Sequence, residues 1–503
     1  MWRVDMPTGD KRAAQDSAVG ADPVAEAFRV WIRTCVRSGW IAAVNAEMVG
    51  VAAASGRVTT EPVRALWPVP AYRAAAMDGI AVRAADSGVA APQQLTRLLP
   101  MEFDLVDTGD PMPPGRDAVI MREHVRLADD GIAEIDTPVA PGRHVRAIGE
   151  DIQAGKLVLP AGHHIRPVDA AALAAAGHRT IPVRRRPVVA VLPTGDEVRP
   201  VGAVLEPGEV LDTNSLMLAG MVEEAGGEAL RLRIAPDCPD QIAAAVAQVA
   251  DRADVVLVIA GSSAGRGDHT AAVVERMGRI AVHGVAMRPG HPVLLGVLSG
   301  PRPVPVVGVP GYPASAERTF ACFVEPLLRR MLEIGGSAGE QGTAARLSCA
   351  VSSAEHVDEC VRLRLARIVD PRTGREALVA TPLQRGAGAL NAIARTEATL
   401  RIPAGATGFA AGAEIRATRV AGAAFSAATT IISGLRSPAT DTLLELHHDE
   451  ASRGLVQWTE FSLQDASQAL ATGLCHAVAL AQDHGADSRP ADPIAALVAH
   501  IGE

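Results

Sequence analysis

Aromatic side chains are scarce in this chain. Phe, Tyr and Trp together make up 3% of its 503 residues, so its cores must be built from Ala, Val, Leu and Ile. Cysteine is sparse as well: Cys35, Cys238, Cys322, Cys349, Cys360 and Cys475 lie far apart, and none forms a CxxC pair. That spacing argues against a disulfide framework and against a zinc site, and it leads to an expectation of reduced thiols in a cytoplasmic protein. No apolar run reaches the ~18 residues of a membrane span, and the N-terminus has no signal-peptide apolar region; no membrane association is expected. Basic charge is not in excess. A net charge of −9 and a pI of about 5.9 argue against a nucleic-acid surface, which needs a basic face. The one basic run, Arg184-Arg185-Arg186, sits between two strand-like segments and reads as a solvated strand edge.

Core-forming material is ample. Apolar residues make 48% of the chain and the mean hydropathy is +0.16. The length suggests roughly three to five domains, and 47 Gly with 35 Pro imply many turns. Residues 1–24 read as a flexible tail. Residues 25–54 show apolar positions near helical spacing (Phe28, Trp31, Ile32, Cys35) and predict a helix running on to Val51. Residues 25–73 and 156–185 read as a linking domain, the latter with a short Ala-rich helix at 169–176, and 74–155 as a β-rich insert of short strands between turns such as TGDPMPPG. From 186 to 333 strand and helix alternate, with helices expected at 214–226 and 239–251, and predict a doubly wound α/β domain. GGSAGEQG at 335–342 reads as a linker, 343–422 as a small β-barrel-like module, and 424–503 as a short mixed segment.

The candidate site clusters in the α/β stretch. DVVLVIAGSSAGRGDHT is an apolar strand, a glycine-serine turn and an Asp-led helix; VAMRPGHPVLLG and VPVVGVPGYPASA follow. Backbone N–H groups bunched at a strand-to-helix turn suit a phosphate or other oxyanion. Gly261, Ser262, Ser263 and Gly265 permit close backbone approach, and adjacent serine hydroxyls can bond an anion. Asp268 at the next helix start suits a hard metal ion on that phosphate. Asp196 and Glu197 stand where a strand ends and a helix is expected; they suit either a hydrated Mg²⁺ bridging phosphates or a helix cap that needs no ligand. Asp237 stands at a similar junction, with an N-cap as its plainer role. Pro310 and Pro313 bracket Gly311-Tyr312 in a rigid turn that either aims backbone groups and Ser315 at an oxyanion or is merely structural. In AMDG, Asp78-Gly79 suits a hairpin turn.

Several segments together resemble the MoeA-type molybdenum insertases, the family that includes the C-terminal domain of gephyrin. They are AAAMDGIAVRA (74–84), DTGDPMPPGRDAVIMRE (107–123), GRHVRAIGEDI (142–152), PTGDEV (193–198), DTNS (212–215) and the three stretches quoted above, in order over roughly residues 25–420. The resemblance implies a homodimer of four-domain subunits whose α/β domain has the molybdopterin-binding fold. It implies the last step of molybdenum cofactor assembly, in which adenylylated molybdopterin and molybdate (or tungstate) react with a divalent cation, Mg²⁺, to give the metal-loaded cofactor and AMP. Carried onto this chain, it makes Glu197, Asp237, Asp268 and Arg288 catalytic. Asp196, Glu197 and Asp268 become metal ligands, and Gly261, Ser262, Ser263, Gly265, Pro310, Pro313 and Ser315 contact substrate. Asp78, Thr108, Arg146 and Asp151 in the insert would complete the site of the other subunit.

The chain departs from the family pattern in places. Arg288 replaces a lysine, a second family lysine falls on Gly284, and His291 stands at a further one. AGSSAG is one residue shorter than the usual turn, and PGYP replaces PGNP. These variants resemble members with a C-terminal domain like periplasmic binding proteins, of which 424–503 would be a truncated α/β remnant. Two other readings stay open: a molybdopterin adenylyltransferase, and a non-catalytic molybdopterin or oxyanion scaffold.

Overall fold

The computed structural model describes residues 22–88, 90–92, 94–259, 269–334, 342–371, 373–386, 390–420, 429–434, 456–460 and 463–479. Residues 1–21 of the tail expected at 1–24, most of the linker and most of the final segment lie outside these residues, whereas 22–24 belong to the start of a helix and not to a tail. The chain divides into two compact units, one of residues Ala43–Arg186 with Arg330–Gly335, the other holding the remainder.

Helix α1 (Pro23–Arg37) is capped by Asp22, whose carboxylate accepts from the Val24 and Ala25 N–H groups at 3.1 Å. It does not run on to Val51. Ser38 caps it, Gly39 turns the chain at φ +93°, and a strand, β1 (Ala46–Gly50), follows. α1 lies with the α/β unit, although the sequence reading joined it to residues 43–73: Trp31 is fully buried and its Nε1 donates to the Gly296 carbonyl at 2.7 Å.

In the first unit the insert holds β2 (Gly79–Val82), β3 (Phe103–Val106) and β4 (Ala118–Met121), an antiparallel trio with β2 central. A Cβ on Gly79 would fall 2.0 Å from the Ile120 carbonyl oxygen, so this close crossing requires glycine. Helix α2 (Pro167–Ala175) buries Leu173 against Val51, Ile165, Ile181 and Val183, and β1 pairs antiparallel with β5 (Thr180–Arg184). Arg184 is not a solvated edge residue. Its guanidinium pairs with Glu333 and donates to the Val44 carbonyl at 3.1 Å.

In the second unit β6 (Val188–Pro193), α3 (Thr213–Glu224), β7 (Glu228–Arg231), α4 (Pro239–Ala250), β8 (Val255–Ile259) and α5 (His269–Met277) alternate as expected. The alternation then stops. β9 (Gly278–His283), β11 (Leu294–Leu298) and β12 (Val304–Val309) follow with no helix between them, around the short β10 (Met287–Arg288). The sheet order is β7-β6-β8-β12-β11-β9, four parallel strands with an antiparallel pair at one edge. Short turns such as 299–303 between β11 and β12 can join antiparallel neighbours, whereas a parallel crossover needs a dozen residues or more. Val256, Val258, Leu294 and Val306 from this sheet bury with Ile242 and Val246 of α4 and Val273 of α5.

After α6 (Pro313–Thr319) and its helical continuation, β13 (Thr343–Leu347), β14 (Asp358–Val369), β15 (Glu376–Pro382), β16 (Ala398–Ile402) and β17 (Glu414–Arg419) close into a five-stranded barrel. Leu347, Val361, Leu363, Leu365, Leu400 and Ile402 fill it. Strand β10 adds in parallel to β14, with Arg288 opposite Glu359. Of the final segment, β18 (Thr430–Gly434), β19 (Val456–Glu460), α7 (Leu463–Ala471) and β20 (Ala477–Ala479) form a small parallel α/β unit in the order β19-β18-β20. Its Ile431, Ala469 and Leu474 pack on Ala366, Ile368 and Val379 of the barrel wall.

Candidate active site

The carboxyl ends of neighbouring parallel strands in an open α/β sheet are where ligands bind, because loops diverge there and backbone groups are left unpaired. β6 ends in this chain with Thr194, whose Oγ1 donates to the Ile259 carbonyl at 2.9 Å and so ties it to the end of β8. Gly195 follows at φ +139°. A Cβ there would lie 2.6 Å from Val198 Cγ2 and 2.8 Å from Glu197 Oε2, so the acidic turn depends on glycine. The helix expected after Asp196-Glu197 is absent; the chain enters the short strand Val198–Arg199 instead. Asp237 is not an N-cap either, since Cys238 occupies the cap of α4.

Both aspartates have another use. Asp196 Oδ1 accepts from the Asp237 N–H at 3.2 Å, and Asp237 Oδ2 accepts from the Asp196 N–H at 3.4 Å, across 41 residues. The reciprocal bonds hold two exposed carboxylates together at the end of the sheet, with exposed Glu197 next in sequence. Among the described residues no group of three metal-ligating side chains occurs. Gly261, Ser262, Ser263, Gly265 and Asp268 lie outside the described residues.

At the end of β12, Asn214 Nδ2 donates to the Gly311 carbonyl at 2.7 Å and fixes the PGYP turn. The DTNS segment that supplies it is itself rigid: Asp212 caps α3 through the Ser215 N–H at 3.0 Å. Pro313 opens α6 and Ser315 is buried in its first turn. Ser315 and Pro310 line a cavity of about 390 Å³ together with Arg288 and His291. The Arg288 side chain has no hydrogen bond or ion pair among the described residues, so its guanidinium is uncommitted. His291 Nδ1 bonds the Val285 carbonyl at 2.7 Å, which leaves Nε2 toward other partners. Gly284 has φ +82°, a backbone conformation that would strain the lysine found there in the family pattern.

The opposite wall of this cavity was not read from the sequence. It comes from the barrel and includes Glu359, Cys360, Arg362 and Arg385. Arg362 pairs with Glu317 of α6 and donates to the Ala314 carbonyl at 3.2 Å. Arg385 donates to the Ser352 carbonyl at 2.8 Å. Burial pushes the Cys360 thiol pKa up, and that of Cys322 up to about 12, so neither supplies a thiolate nucleophile.

In the other unit Asp78 accepts from both the Thr108 N–H and its hydroxyl at 2.7 Å. Those bonds, the hydroxyl's first, hold the Asp78 carboxyl below its usual range. Arg146 stands on a short strand with its Nε 3.4 Å from Glu150, and Asp151 is exposed, its N–H donating to the Val69 carbonyl at 3.0 Å. Of the four insert residues expected to contact substrate, the structure joins Asp78 and Thr108.

Comparison with known proteins agrees with this architecture. Residues 23–177 match the MoeA N-terminal region (domain I and II), 190–330 a probable molybdopterin binding domain, and 344–419 the MoeA C-terminal region (domain IV). A molybdopterin molybdenumtransferase of Nostoc sp. is 33% identical over 305 residues, covering 57% of this chain and 70% of the relative. That of Haemophilus influenzae is 32% identical over 300 residues, covering 57% and 72%. A crystal structure of a molybdopterin biosynthesis MoeA protein from Pyrococcus horikoshii shares 30% identity with a TM-score of 0.64, covering 79% of this chain and 98% of its own. The fold and the acidic strand-end turn thus define a multidomain protein built around a molybdopterin-binding type of α/β domain. The chain belongs to the MoeA family, whose curated members include molybdopterin molybdenumtransferases.

Proposed function

We propose that this chain inserts molybdate into adenylylated molybdopterin with release of AMP, in a Mg²⁺-dependent reaction. The observation that carries the reading is the presence, within one unit, of an acidic turn and an arginine-lined cavity. Cleaving a phosphoanhydride shifts negative charge between oxygens, and fixed cations and N–H donors lower the cost of that shift. Arg288 is free to take an oxyanion in bidentate fashion, and Arg362 and Arg385, paired with Glu317 and Glu359, supply further N–H donors across the cavity.

Mg²⁺ keeps several waters and binds through one or two carboxylates plus substrate phosphates, so the exposed Asp196, Glu197 and Asp237 fit it without a third fixed ligand. Asp196 and Glu197, with Asp268 assigned from the sequence, would hold the ion. Bound there it would neutralise phosphate charge. Ser315, Pro310 and Pro313, together with the turn containing Gly261, Ser262, Ser263 and Gly265, would orient the substrate. The proposal includes a cytoplasmic homodimer, in which the Asp78–Thr108 pair, Arg146 and Asp151 of one copy serve the α/β site of the other. Six free cysteines support a reducing compartment.

The test is AMP release by the purified chain given adenylylated molybdopterin, Mg²⁺ and molybdate. Molybdate-dependent AMP formation is expected. Consumption of ATP would instead identify an adenylyltransferase, and tight pterin binding without AMP would identify a scaffold.

A further inference from the structure

Glu359 is the least explained group in the cavity. It is 3% exposed, and its Oε2 is buried with no hydrogen-bond partner. Its Oε1 lies 3.6 Å from Arg385, beyond a hydrogen bond, and the guanidinium of Arg385 is engaged by the Ser352 carbonyl. The residue sits on β14 opposite Arg288 and forms part of the cavity wall. A buried carboxylate oxygen without a donor is costly and rare in folded proteins. Glu359 lines the cavity, so a ligand there that brings a donor removes that cost once the buried oxygen turns to meet it.

The surroundings limit what the ligand can be. A metal ion would sit among Arg288, Arg362 and Arg385 and be repelled. Molybdate is fully ionised near neutral pH, carries no donor, and would itself be repelled by a carboxylate. The arginines suit an anionic group and Glu359 suits a neighbouring N–H or O–H. A volume of about 390 Å³ is in the range of small-molecule sites. We propose that Glu359 is a substrate-binding residue that accepts a hydrogen bond from an N–H or O–H donor of the organic substrate, while the arginines hold the anion. This rests on the insertase reading, and it makes the cavity selective for a phosphorylated heterocycle over a bare oxyanion.

The experiment is calorimetric titration of the intact chain with adenylylated molybdopterin and, separately, with molybdate alone. Glu359→Gln is nearly isosteric and Glu359→Met removes every acceptor. Both are expected to weaken binding of the adenylylated pterin about tenfold or more, the range for losing a hydrogen bond to a charged group. Molybdate binding should stay within twofold or tighten, and the thermal midpoint without ligand should hold or rise, since the buried oxygen that accepts no hydrogen bond is gone and the 3.6 Å contact with Arg385 is longer than a hydrogen bond. Pterin binding unchanged in both variants would overturn the assignment while leaving the insertase reading in place. Equal losses for both ligands with a lowered midpoint would overturn it in favour of a structural role. A wild-type chain that binds molybdate and not the adenylylated pterin would overturn the assignment and the insertase reading together.

Discussion

Replacing Asp358 by Asn tests what holds the barrel against the α/β domain. Asp358 is 0% exposed. One oxygen accepts from Arg318 of α6 at 2.9 Å and the other from Arg401 of β16 at 2.7 Å, and its N–H donates to the Ala286 carbonyl beside β10. The substitution keeps shape and removes the charge between two guanidinium groups. Breaking a buried pair from one side costs about 3–5 kcal/mol. Arg401 is 46% exposed along its side chain and also reaches Asp22, so its share falls to the surface range of about 0.2–1 kcal/mol. Arg318, at 16%, carries the larger part. The asparagine oxygen still accepts one bond, which puts the expected loss near the low end, about 3 kcal/mol. Calorimetry should show the transition of this unit lowered by roughly 4 °C. Adding Arg318→Met should restore part of the loss, because the uncompensated charge goes with it. A shift below about 1 °C in the single variant, or a double variant worse than the sum of its parts, would refute the argument that this buried pair clamps α6 to the barrel.

Two further outcomes follow from the site. Arg288→Ala should lower kcat/KM for AMP release by roughly 10- to 150-fold, the equivalent of about 1.5–3 kcal/mol for a charge-assisted hydrogen bond, with no change in thermal midpoint because Arg288 has no partner to lose; Arg288→Lys should recover part of the rate, and an unchanged rate in the alanine variant would remove Arg288 from the chemistry. Burial pushes the thiols of Cys35 and Cys322 up to about 12, so at pH 8 only about one in ten thousand is thiolate; iodoacetamide should spare both in the folded chain and label both in urea, and mass spectrometry showing native labelling of Cys322 would contradict the packing of α6 on the barrel.

Local signals carried much of the fold. The helix expected at 239–251 is Pro239–Ala250, and that at 214–226 is Thr213–Glu224. Here apolar spacing and flanking Pro and Asp speak for the same element. The helix expected through 54 failed because apolar spacing alone outweighed Gly39, whose positive φ turns the chain into β1. The doubly wound fold was legible, but the strand–helix alternation ends at α5, because apolar runs do not say whether the next strand returns parallel or antiparallel; the short turn 299–303 between β11 and β12 does. The residue types of the acidic turn were legible, but their pairing was not. Asp196 and Asp237 meet through backbone N–H groups of two loops 41 residues apart, and no periodicity reports on where loops meet.

The charge of the cavity shows the same limit from the other side. Matched motif by motif, Gly284 counts as a lost lysine, which favours a binding protein that has dropped catalysis. The structure changes that count. Gly284 takes a left-handed conformation that a lysine would strain, whereas Arg288 two residues beyond Ala286 is free. The other cations enter from a different module. In VRLRLARIV, alternation assigns Arg362 to the outer face of a strand and therefore to solvent. The outer face of β14 meets α6, so Arg362 is held there by Glu317 and faces the cavity beside Arg385. Positive charge for an oxyanion is thus present, distributed over the turn and the barrel wall, and the absence of one motif lysine is no argument for a chain without turnover.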